Sequence, residues 1–434
     1  MFHFADSESS TEGGTPPDRN DLPIVEVAEP HRVLYQLIYH CYQDPVNHTT
    51  IHDVTELAPV FEAADKYEMP RVITSLKATL EHFEKDHPLP VFALACRFGP
   101  EDLARSSALK WRARLHASYV DSPKAPHGFW KDMTVASSFV PEMNGMCAGV
   151  FYRLAEYLRT GVERPFSKPT SSCKLSDSEV PRPTVTFQMT QYPDADIRIQ
   201  SYHSQATFFH VHKIILSTSS PVLMQKIDEL SESSSEDLPT LSLPEHDNIL
   251  QIILASCYSS MLADMPSFEL ADLPELGRAA QHYRLINLVN LCRQSMTAHI
   301  IADPLKAYLI AADCGWKAEA REAAVRLAQR AKEGRYSPYL ELVDTSIYFP
   351  LLKFCHEYRR VIFQVTGGCK GRTPEEMWAA AEWICDEMPG DAGNLAWAFA
   401  MYLMESGHRN KTWSELRTMR DDLISKLAQI QLEI

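Results

Sequence analysis

The stretch from Asp194 to Ser220 leaves this chain the fewest folding options. Ile197 and Ile199 alternate with polar residues, and Phe209 and Val211 do the same after the run Ser201–Thr207. Period-two patterning of this kind specifies two half-buried strands joined as a hairpin. The second strand runs straight into Ile214-Ile215-Leu216, a short helix, and then into a Ser/Thr cluster ahead of Pro221. A serine before a proline marks a helix start. The serine hydroxyl accepts from the free N–H groups of the first turn, and proline has no N–H there to lose. The order is strand, strand, short helix, capped helix.

Within that order, Asp196 stands on the first strand, and His212, Lys213, Leu216 and Ser220-Pro221 follow the second. Members of the BTB/POZ family carry an Asp-hydrophobic pair on the first strand, then His-Lys/Arg-x-x-Leu-x-x-x-Ser-Pro. The stretch resembles the opening half of a BTB/POZ domain. The resemblance implies an α+β fold, mostly α-helical, with a small sheet flanked by helices and helical extensions. It also implies a non-enzymatic role: dimerisation or hetero-association through the hairpin and first helix, and recruitment of a protein partner. In the family, the positions of Asp196 and Lys213 line a charged pocket at the dimer interface. An ordinary ion pair that shapes the hairpin is the other reading of the same two residues. His212 falls at the start of the first helix, where the resemblance makes it structural.

For many family members the partner is a cullin-3 ubiquitin ligase, with the BTB protein as substrate adaptor. Such adaptors often carry hydrophobic-x-Glu after the Ser-Pro helix. Ile227-Asp228-Glu229 and Leu230-Ser231-Glu232 both fit, so Ile227, Glu229 and Glu232 join Asp196, His212 and Lys213 as partner-binding candidates. No separate substrate-reading repeat is visible, which weighs against the adaptor role.

A second signal is a constant offset. Cys41-Tyr42 recurs as Cys257-Tyr258, 216 residues on. At the same spacing Leu22-Pro23 meets Leu238-Pro239, Glu29 meets Glu245, Tyr67 meets Tyr283, Pro88-Leu89 meets Pro304-Leu305 and Gly99 meets Gly315. Helical periodicity aligns apolar positions, but not Cys-Tyr, Leu-Pro and Gly together, so 22–104 and 238–320 read as two copies of one module. The first copy lacks the opening half that 194–221 gives the second; a truncated start of the chain accounts for that better than a half-domain with an exposed sheet edge. The expected domains are an incomplete BTB-like module at 1–162, a linker at 163–184, a complete one at 185–360 and a helical tail at 361–434. Paired modules of this kind are similar to fungal BTB-domain proteins. The constant offset also predicts that the copies associate as an internal pseudo-dimer, with a homodimer as the alternative.

Helices are expected over Val33–Cys41, Val54–Ala64, from Pro70 and over Pro88–Phe98, with Gly99 as C-cap, and short strands at Leu22–Val27 and Thr184–Met189. The tail begins a helix at the capping box Thr373-Pro374-Glu375-Glu376, continues with helices around Leu395–Leu403 and Trp413–Ile430, and holds Trp378, Trp383, Trp397 and Trp413.

A net charge of −15 argues against a nucleic-acid partner, which needs a basic face. The densest basic cluster, Lys110, Arg112 and Arg114 beside Trp111, reads as a solvated helix face. Ten scattered cysteines without a Cys-x-x-Cys pair fit no zinc template; Cys41, Cys257 and Cys292 fall in apolar helical patterns and read as buried thiols in a reducing, intracellular setting, cytoplasmic or nuclear. No cofactor or metal is expected. No run of 18 apolar residues spans a membrane, and the acidic N-terminus is no signal peptide. Gly367–Gly371 lacks the phosphate-loop order, and no nucleophile elbow occurs. An enzyme hidden in the tail is the rival from another class.

Overall fold

The computed structural model describes residues 27–42, 51–120, 138–162, 165–166, 194–230, 238–258, 268, 270, 272–329, 336–366, 418, 421–422 and 425–432. It divides into two compact units. The expected strands at Leu22–Val27 (save Val27) and Thr184–Met189, Glu232, and most of the tail with its four tryptophans lie outside the described residues.

Unit 1 takes Met1–Pro123, Ser138–Met146 and Glu156–Lys168. Its helices are α1 (His31–Tyr42), α2 (Leu57–Lys66), α3 (Pro70–Phe83), α4 (Pro88–Phe98) and α5 (Glu101–Val120). Proline opens α3 and α4, where its missing N–H costs nothing. Helix α4 is apolar on every side and buried accordingly, with Val91, Phe92, Ala93, Leu94 and Ala95 fully covered. Gly99 does cap α4, but in extended rather than left-handed backbone. A Cβ there would lie 2.9 Å from the Ala95 Cα, so close approach is what asks for glycine.

The basic cluster on α5 is exposed at Lys110 and Arg114, as a solvated face would be, but its cations have partners. Lys110 pairs with Glu84, and Arg114 donates to the carbonyls of Lys85 and Asp86. The Arg112 guanidinium lies 5.3 Å from the Tyr157 ring centre, and Trp111 Nε1 donates to Ser138 Oγ at 3.0 Å. These residues tie α5 to the rest of unit 1. Phe166, inside the expected 163–184 linker, is a core residue stacked edge-on against Phe92 and Tyr157, and its backbone N–H donates to Glu101.

Unit 2 takes Lys124–Ser137, Cys147–Ala155 and Pro169–Ile434. Strands β1 (Ile197–Ser201), β2 (Ser204–Val211) and β3 (Thr240–Leu243) form a sheet in the order β2-β1-β3. Antiparallel β1–β2 pairing sets Ile197 opposite Val211 and Ile199 opposite Phe209, on one buried face. The turn is shorter than the polar run Ser201–Thr207 implied, since β2 begins at Ser204. Among the described residues it is an edge strand. β3 joins β1 in parallel.

The helices of unit 2 are α7 (Lys213–Ser219), α8 (Pro221–Leu230), α9 (Asp247–Cys257), α10 (Leu273–His282), α11 (Ile286–Ala302), α12 (Pro304–Asp313), α13 (Lys317–Gln329) and α14 (Thr345–Thr366), after α6 (Ala148–Thr160). Residues 147–155 of α6 belong here. Ala148 N–H donates to the Val343 carbonyl at 2.8 Å, and Arg153 forks onto the Glu341 carboxylate. The structure is mostly helical around one small sheet.

The 216-residue offset reappears in the coordinates. Helix α2 spans 57–66 and α10 spans 273–282. Tyr67 donates to Glu29, and Tyr283 donates to Glu245 at 2.8 Å. Glu68 and Arg284, the non-glycine residues with positive φ among those described, stand at 53° and 55°. Met69 N–H reaches the Ala64 carbonyl as Leu285 N–H reaches that of Ala280. The exception is the outer face of α1: Ile38, Cys41 and Tyr42 are exposed, whereas Leu254, Cys257 and Tyr258 are buried. Cys41 is therefore not the buried thiol its apolar setting implied. In unit 2, the hairpin and α7 cover the corresponding positions of α9.

Candidate interaction surface

The end of β2 and the two short helices after it are held by a set of polar contacts. Asp196 Oδ1 accepts from the Lys213 backbone N–H at 2.7 Å, capping α7 from the neighbouring strand. The bond between these residues runs to the backbone and not to the ammonium, so the carboxylate meets the positive end of the helix. His212 sits at the junction. Its backbone N–H and its Nδ1 both meet the Tyr258 hydroxyl, at 3.1 and 3.0 Å, and its Nε2 lies 3.3 Å from Asp194. The Tyr258 hydroxyl thus bridges the backbone and the ring of His212.

Ser219 Oγ donates to the Cys257 carbonyl at 3.1 Å. Ser220, fully buried, accepts from Leu223 N–H at 3.1 Å and donates to the Tyr283 carbonyl at 2.6 Å. One hydroxyl thus caps α8 and anchors it to the end of α10. Tyr283 in turn donates to Glu245, and Ser201 donates to the Glu245 carbonyl at 2.6 Å. Burial first, then the bond to Glu245, pushes the Tyr283 hydroxyl above its ordinary range. Burial alone pushes the Cys257 thiol up to about 12, which leaves it unreactive.

With their inner faces fixed, α7 and α8 turn apolar residues outward. Ile214 is 69% exposed and Met224 47%. Phe208 and Tyr202 are exposed on the hairpin. On α8, Pro221, Met224, Gln225, Asp228 and Glu229 line a shallow groove of about 490 Å³. Gln225 donates to Glu229 at 3.0 Å, so one carboxylate of the groove is held in place.

Residues 186–300 match the family model described as the BTB/POZ domain. That segment is a BTB/POZ domain. No curated protein and no solved structure matched the chain. The match holds the whole hairpin, α7–α10 and most of α11, with the polar contacts described above.

Five of the six sequence candidates lie among the described residues. Asp196, His212 and Lys213 meet at the junction of β2 and α7 in the BTB domain. Ile227 is 4% exposed and packs inward, whereas Glu229 faces solvent in the groove. Glu232 lies outside the described residues. Sequence reasoning missed Met224 and Ile214 as outward apolar residues. It also missed Tyr258 as the partner of His212, Tyr283 as that of Ser220 and Glu245 as that of Tyr283. The signal was present, since these last three are positions where the 216-residue offset keeps residue identity.

Proposed function

We propose that this protein acts by protein–protein association through its BTB/POZ domain, with no chemistry of its own. The observation that carries the reading is the exposure of Ile214 at the start of α7, on a hairpin–helix unit whose inner face is fixed by Asp196 and Tyr258. A rigid element with an outward apolar residue is a ready interface core. The test is sedimentation equilibrium of the full chain and of Ile214→Asp. Concentration-dependent self-association or partner binding that the aspartate removes supports the reading. Identical behaviour of the two chains opposes it.

The α8 groove supports a second, finer reading, an adaptor of a cullin-3-type ubiquitin ligase. Met224 offers an exposed apolar contact one turn from the carboxylates of Asp228 and Glu229. Ile227 then serves as the residue that sets the α8 register, and Glu229 as the contact. Residues 27–162 are a second, incomplete copy of the same module in this account. Its support is the matched Tyr–Glu bonds, helix limits and positive-φ positions at a spacing of 216.

A further inference from the structure

In unit 2, the C-terminal segment packs against α13 and α14. Pro350, Lys353, Phe354 and Glu357 of α14 and Lys426 and Ile430 of the C-terminal segment flank an open cleft of about 350 Å³. Residues 425–429 are helical, and the helix stops at Ile430. Arg321 on α13 donates to the Ile430 carbonyl at 3.0 Å and to the Ala428 carbonyl at 3.4 Å. A helix end carries carbonyls without intrahelical partners, and a guanidinium placed there satisfies them and meets the negative end of the dipole. Arg321 is itself positioned by the Phe354 ring, 5.9 Å from its guanidinium carbon, and Phe354 is 2% exposed. Leu427 and Ile430 are half-buried, while Ser425, Lys426, Ala428 and Gln429 face solvent. An Asp422–Lys426 pair one turn apart supports the helix.

We propose that the α13–α14 face around Arg321 and Phe354 is a docking site for a helix C-terminus, and that the chain's own residues 425–432 occupy it in cis as a displaceable strap. The contacts explain why it is displaceable. Arg321 reads main-chain carbonyls, which every helix end presents, and Ile430 supplies one half-buried side chain. The strap holds its place because it is tethered, at an effective concentration that free peptide must exceed. The proposal is independent of the BTB domain, since α13 and α14 lie beyond residue 300.

The test uses the full chain and a fluorescent peptide of residues 416–434. The unaltered chain takes up the peptide weakly. Ile430→Asp releases the strap and raises peptide affinity at least about tenfold. Ile430→Asp combined with Arg321→Ala returns it to the low level. Ile430 and Arg321 are both partly exposed, and circular dichroism checks that each variant is folded. Equal uptake by the unaltered chain and Ile430→Asp would overturn the proposal, and so would undiminished uptake by the double variant. A dimer of the unaltered chain that Ile430→Asp splits would place the strap in trans and overturn the cis assignment.

Discussion

Arg153 and Glu341 form an ion pair within unit 2, with side chains 11% and 9% exposed. Burial pushes the Glu341 carboxyl up, but the Arg153 hydrogen bond and charge outweigh it, and the carboxyl sits below its usual value of 4.5. Arg153→Met leaves a buried carboxylate without its cation and lowers stability by about 3–5 kcal/mol. Replacing both residues by Met costs less, because no charge is left stranded. A depressed carboxyl contributes stability that is present above pH 4.5 and is lost as pH falls through the folded pKa. Urea midpoints between pH 6 and pH 3 check the sign: the double variant loses less stability on acidification than the unaltered chain. Gly277 makes a second residue-scale case. A Cβ there meets the Trp316 ring at 2.8 Å, so Gly277→Ala overpacks the core and lowers the urea midpoint by the equivalent of about 1–3 kcal/mol. A wild-type midpoint would mean that Trp316 moves freely aside.

At the scale of elements, the junction of β2, α7 and α8 divides its work among short polar contacts. Asp196 caps α7 through a backbone N–H, so Asp196→Ala destabilises by about 0.5–2 kcal/mol and Lys213→Met by no more than about 0.5 kcal/mol. Equal losses from the two variants, measured by chemical denaturation, would restore the ion-pair reading. The hairpin was legible in the sequence because Ile197, Ile199, Phe209 and Val211 keep strict period two, and the register pairs those very residues. The turn length was not legible, because polar residues on an edge strand look like a loop. The capped start of α8 was legible in Ser220-Pro221, but the other bond of that hydroxyl was not, since Tyr283 lies 63 residues on. The partners of the α5 basic cluster were not legible for the same reason. Its partners Glu84, Lys85, Asp86 and Tyr157 are set by tertiary packing, and helical spacing alone shows three cations fanned around a surface.

For the whole molecule, the sequence carried the BTB domain further than the interaction surface itself. Sequence pattern specifies what is buried. Ile214 and Met224 look like core residues until the inner faces of α7 and α8 are filled by Leu216, Leu223 and Ile227. No helix among the described residues is long and apolar enough to cross a membrane. The account rests on outward apolar residues held on a rigid frame, Ile214 on α7 and Met224 on α8. The most direct measurement is light scattering of the full 49.2 kDa chain, alone and mixed with a cullin-3 N-terminal fragment, with Ile214→Asp and Met224→Asp beside it. The account predicts a mass above that of the single chain, from self-association that Ile214→Asp abolishes, from fragment binding that Met224→Asp abolishes, or from both. A mass of one chain in every mixture, unchanged by either substitution, would contradict association through this domain.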